Sequence, residues 1–139
     1  MVYEAVLVEF DGFPSDFTIA DGTAIAKGTL LQLTTPRTAI AATGLTNYKA
    51  GIAAREKVAS DGRTNLAVYD KGKFLIYVSG AVVAGQQLGF LPAIATYPNH
   101  LAVVNSGAIT ASGGQVVAVA EQAHADATLS AILCRLVHD

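Results

Sequence analysis

The 139-residue chain has one cysteine, no basic run, few charges and no apolar run of membrane-spanning length, and each of these shortages excludes something. A single cysteine, Cys134, rules out an internal disulfide and a cysteine zinc cluster. Its setting, Ala131-Ile132-Leu133-Cys134-Arg135-Leu136, predicts a buried filler rather than a nucleophile. Nine basic and eleven acidic residues give a net charge of −2. Without a basic stripe or an arginine–aromatic cluster, the chain lacks the positive footprint that nucleic acid requires. A spanning helix needs about 20 apolar residues, so no membrane partner is expected. The first ten residues lack a basic start and carry Glu4 and Glu9. That argues against a signal peptide and for a protein made in cytoplasm, leaving it only by lysis.

Charged residues are 14% of the chain, against about 25% in ordinary domains. A small domain has much surface to cover. Either that surface is neutral and alanine-rich, with 25 alanines available, or part of it is covered by another protein. The second reading is favoured.

What is present is a repeat. Ala24-Ile25-Ala26-Lys27-Gly28-Thr29-Leu30-Leu31 and Ala81-Val82-Val83-Ala84-Gly85-Gln86-Gln87-Leu88 share one pattern 57 residues apart. The first copy leads through Gly51-Ile52-Ala53-Ala54-Arg55-Glu56 and the Asp61-Gly62 turn to Leu66-Ala67-Val68-Tyr69. The second leads through Val117-Ala118-Val119-Ala120-Glu121 and Asp126-Ala127 to Ile132-Leu133. Short alternating strands with frequent turns predict an all-β fold, a small barrel or sandwich of two related strand–turn–strand halves. Strands are expected at 30–34, 38–41, 66–69, 74–78, 116–119 and 129–137. Residues 50–59 read as strand, turn, strand, with a short helical turn allowed. Residues 2–10 read as a strand, and Phe17-Thr18-Ile19 as a short second one. We divide the single domain into an N-terminal strand or arm, 1–20, and a barrel or sandwich, 21–139. Two readings of the first segment stand side by side: an arm that pairs with a neighbour, or a strand completing the barrel. Residues 89–105, with two prolines, are long for a hairpin loop and read as an exposed excursion.

Catalytic signatures are wanting. His100, His124 and His138 lack metal-ligand spacing. Ser79 and Ser106 sit in turns outside any nucleophile elbow. Ser112-Gly113-Gly114 precedes a strand, not a phosphate-binding helix. Glu56 and Glu121 read as equivalent repeat positions, hence as solvated or capping groups rather than an acid–base pair. The Asp-Gly pairs at 11, 21 and 61 are turn chemistry. The expectation is no enzyme, no cofactor and no metal. A small ligand-binding barrel, which would need a convergent polar pocket, ranks low.

The segments 21–31, 51–53, 59–62 with 66–69, 79–82 with 85–88, and 119–123 with 129–136 resemble the tailed-bacteriophage capsid decoration, or cement, proteins. The resemblance spans roughly residues 18–136. It implies a β-rich barrel or sandwich on the outer surface of the mature virion head, assembled as trimers, bound to major capsid proteins and made in the host cytoplasm. Contacts would then come from exposed termini and loops: Val2, Tyr3, Val6, Val8, Phe10 and Phe13 in the first segment, and Tyr97, Asn99 and His100 in the excursion. The alternative is another particle component, such as a head-fibre base or a tail-tube-like subunit.

Overall fold

The computed structural model describes residues 3–10, 13–42, 49–90, 99–103, 116–123 and 131–136. These form eleven strands: β1 Val6–Glu9, β2 Ser15–Thr18, β3 Leu30–Thr35, β4 Thr38–Ala41, β5 Lys49–Ala53, β6 Asn65–Tyr69, β7 Lys73–Val78, β8 Gln87–Phe90, β9 His100–Val103, β10 Val116–Ala120 and β11 Ala131–Leu136. The all-β expectation holds, and the architecture is two five-stranded barrels. The first closes in the order β2-β4-β3-β5-β6. The second runs β7-β11-β10-β8-β9 and closes through a β7–β9 pairing, with β1 added outside it on β7.

The two barrels are one topology used twice. In each, the first strand pairs parallel with the third and antiparallel with the fifth. The second strand pairs antiparallel with the third and fourth, and the fourth with the fifth. The repeated motif is the corner that leads into the second strand. Gly28 N–H donates to Ala53 O at 2.9 Å, and Gly85 N–H to Ala120 O at 2.7 Å. Both glycines have positive φ, 82° and 94°, a region that glycine enters without steric penalty. Ile25 and Val82 are buried before the corner, and Leu31 and Leu88 after it.

Adjacent leucines in β3 face opposite ways, as strand geometry requires. Leu31 joins the first barrel's core with Ile19, Ile25, Leu66 and Val68. Leu30 joins the second core with Phe74, Ile76, Leu88, Phe90 and Leu101. Ile52 and Ala53 of β5 divide in the same manner. The second barrel therefore sits on the outer face of β3 and β5, burying those strands on both sides.

This arrangement corrects two expectations. Residues 1–20 are not one separate arm: β2 is a stave of the first barrel, while β1 lies on the second. Glu56 and Glu121 are not equivalent. Ala54 N–H donates to Ala67 O at 2.9 Å, and Glu121 N–H to Leu133 O at 2.8 Å, which matches Glu121 to Ala54. The 50–59 segment is strand β5 followed by bends, with Lys57 bridged to Ile25 and no helical turn.

Candidate functional site

Three of the residues singled out in the sequence meet, but inside the molecule. Tyr3 packs edge-on against His100 at 4.7 Å and Tyr77 at 5.1 Å between ring centroids. Asn99, at φ 62°, uses its side chain as a three-way link. Its Oδ1 accepts Leu30 N–H at 2.6 Å, and its Nδ2 donates to Tyr3 O at 2.6 Å and Gly28 O at 2.8 Å. The amide thus ties the N-terminal segment, the first barrel's glycine corner and the start of β9. A buried backbone group left unpaired costs about 1–3 kcal/mol, so this link stabilises the barrel junction.

Asn99 and His100 are buried, at 6% and 1% exposure, so their expected place on an exposed excursion is corrected. Polar residues after Pro98 signal a loop, yet the chain enters β9 at once, and parallel pairing of His100 with Tyr77 carries it inside. Val2 and Tyr97 lie outside the described residues.

Beyond this root the N-terminal segment is exposed. Ala5 N–H donates to Gly28 O at 3.1 Å, and Ala5 is buried. Then β1 pairs antiparallel with β7, Val6 opposite Leu75 and Leu7 opposite Phe74, and slips register before Glu9 meets Lys73. Val6, Leu7 and Val8 remain 46%, 39% and 53% exposed, and Phe13 is 89% exposed. Because alternate residues face opposite sides, β1 is apolar on both. Phe10 folds back, its ring 4.8 Å from Tyr69. Sheet order ends at β1, so no described strand pairs with its outer edge. An apolar edge strand of this kind is a template for strand addition.

Lys57, whose side chain is wholly buried, donates to Asp21 Oδ1 at 3.0 Å, Asp61 Oδ1 at 2.7 Å and Asp21 O at 2.9 Å. Burial works against its charge, but hydrogen bonds to Asp61 and Asp21 outweigh it and hold its pKa above the ordinary lysine value. Asp61 is correspondingly held low, first by Lys57 and then by the Arg63 backbone N–H. The sequence offered Asp21-Gly22 and Asp61-Gly62 as turns; both also supply the counter-charge for Lys57. Glu121 pairs with Lys73 at 3.2 Å and with Arg135 at 3.5 Å. Burial, with a contribution from Glu121, pushes the Cys134 thiol up to about 12. Among the described residues no three potential metal ligands cluster, and no helix is long and apolar enough to cross a membrane. His124 and His138 lie outside the described residues.

Neither a family model nor a curated protein matches this chain.

Proposed function

We propose that this protein is a structural component of a tailed-phage particle, docking on the outer surface of the mature capsid and stabilising contacts between major capsid proteins. The observation that carries the reading is β1: an apolar strand with an open edge, held at its root by the Asn99 link. A free edge offers backbone donors and acceptors to a partner strand, and Val6, Leu7, Val8 and Phe13 offer area to bury. Burying one such side chain fully is worth about 1.5–3 kcal/mol. The rigid root lowers the ordering cost of docking. The low charge of the chain and its sequence resemblance to decoration proteins support the same reading, with trimers as the assembled unit. A ligand that binds only the assembled shell stabilises that shell by mass action.

The test is co-sedimentation with mature heads of the encoding phage that lack the protein. Saturable binding with raised thermal resistance of the heads is the expected result. Absence of binding to expanded heads sinks the proposal and favours another particle component.

A further inference from the structure

An open groove lies on the first barrel, and no residue of β1 lines it. It has a volume of about 480 Å³ and is lined by Arg55, Arg63, Thr64, Asn65 and Ala67, with Asp16 its one carboxylate. None of the four ion pairs among the described residues involves Arg55 or Arg63. Two arginines therefore line an open, polar groove with one carboxylate in its wall; the Asp61 carboxylate, already bonded to Lys57, also lies within electrostatic reach of Arg63.

The internal repeat shows what this place holds in the other barrel. Gln122 follows Glu121 there, and its Oε1 accepts the Leu133 N–H at 2.7 Å. In the first barrel the matching residues are Arg55, which follows Ala54, and Ala67. Arginine has five donors and no acceptor, so it cannot play the part of Gln122. Where the second barrel brings its own side-chain oxygen, the first brings a second cation. The Thr64 hydroxyl already donates to Asn65 Oδ1 at 3.4 Å, so the donors this groove offers a partner are chiefly the guanidinium groups of Arg55 and Arg63.

We propose that this groove binds an acidic, extended segment of a partner protein, with partner carboxylates on Arg55 and Arg63. Guanidinium–carboxylate pairing is directional and is among the stronger polar contacts. The groove is open along the surface and has more room than a lone ion fills. The inference is independent of capsid docking through β1, and its test uses no phage heads.

The full-length protein is titrated with a blocked octapeptide alternating glutamate and serine, with the glutamine version of that peptide, and with inorganic phosphate. Backbone amide chemical shifts report where each binds. The glutamate peptide is expected to move the Arg55, Arg63 and Ala67 amides, to bind about tenfold tighter than the glutamine peptide or phosphate, and to weaken with salt. The Arg55→Gln/Arg63→Gln protein, with both changes on the exposed surface, is expected to keep the rest of its amide spectrum and lose about tenfold in affinity. No binding, equal binding of the glutamine peptide, equal binding of phosphate, or undiminished binding by the double variant each overturns the proposal. Amide shifts confined to other surfaces do so as well.

Discussion

The first barrel has an aliphatic core and an ion cluster centred on the buried Lys57, whereas the second adds two buried phenylalanines to its aliphatic core and takes on an extra strand. Among the described residues the first core has no fully buried aromatic side chain, while Phe74 and Phe90 are buried in the second. The two also treat the same sheet edge differently. In the second barrel, β1 covers β7 at Lys73 and Leu75. The pairing of Thr18 with Thr38 matches that of Tyr77 with His100, so the equivalent positions in the first barrel are Pro14 and Asp16. Proline has no N–H to offer. The Asp16 carbonyl accepts a bond from the Arg37 guanidinium, which also lies 5.6 Å from the centre of the Phe17 ring. One edge is thus blocked by a side chain and the other extended by a strand. The lesson is that topology alone does not decide where such a molecule meets a partner; the treatment of its edges does.

The contrast in cores can be broken most strongly at Phe74. Phe74→Ala removes the fully buried aromatic side chain of β7, and a loss of about 3–5 kcal/mol is expected in chemical denaturation. Ala39, buried in the first core, sets the opposite limit: Ala39→Leu overpacks and is expected to cost about 1–3 kcal/mol. The junction comes next. Asn99→Ala takes the side-chain partner from the Leu30 N–H and the Tyr3 carbonyl and leaves the Gly28 carbonyl with the Ala5 N–H alone, and a loss of about 2–3 kcal/mol is expected by the same measurement. The equivalent glycines then sharpen the comparison. A Cβ on Gly85 meets nothing within 4 Å, so Gly85→Ala should cost only the left-handed backbone penalty of about 1–2 kcal/mol. A Cβ on Gly28 lies 2.9 Å from the Ala5 carbonyl oxygen and closer still to the Glu4 side chain. Gly28→Ala is therefore expected to cost more and to displace the N-terminal root, seen as loss of amide protection at Ala5.

The ion cluster predicts a pH window for the first barrel alone. Asp61 has a depressed pKa in the folded state, so its contribution is present above the unfolded value, near about 4, and lost as pH falls through the folded one. Lys57 has a raised pKa, so its contribution is complete below about 10 and lost as pH rises through the folded value. Carbon-detected titration of Asp61 should give a value below the ordinary one, returning upward in Lys57→Met. The smallest effect is expected at Cys134: an exposed-thiol reagent should not modify it at pH 7–8 in the folded protein, and should do so after unfolding.

The repeat was legible because a corner that needs glycine at positive φ, flanked by buried apolar residues, leaves the same mark each time it is used. β3, β4, β6 and β7 followed from alternation and from stops such as Pro36 and Asp70. Two barrels, rather than one barrel or sandwich, were not legible. Leu30-Leu31 and Ile52-Ala53 read as apolar pairs, and nothing local says that their faces belong to different cores. The junction was half legible: Tyr3, Asn99 and His100 were singled out, but as surface groups, since a polar Asn-His pair after proline signals a loop. Lys57 was missed because a lone lysine reads as solvated; its two aspartates, each in a turn, come from distant parts of the chain. The Glu56–Glu121 equivalence failed because repeat spacing is not kept between strands of unequal loop length.

The most direct test of the central proposal, that β1 is the docking edge, is saturation binding to decoration-free heads by the native protein and by a Val6→Glu/Val8→Glu variant. Both side chains are exposed, so the variant should keep the fold and the β1 root contacts. Saturable binding by the native protein is expected, with at least a tenfold loss in the variant, from about 1.4 kcal/mol or more of lost burial. Equal binding by a folded variant would contradict the proposal.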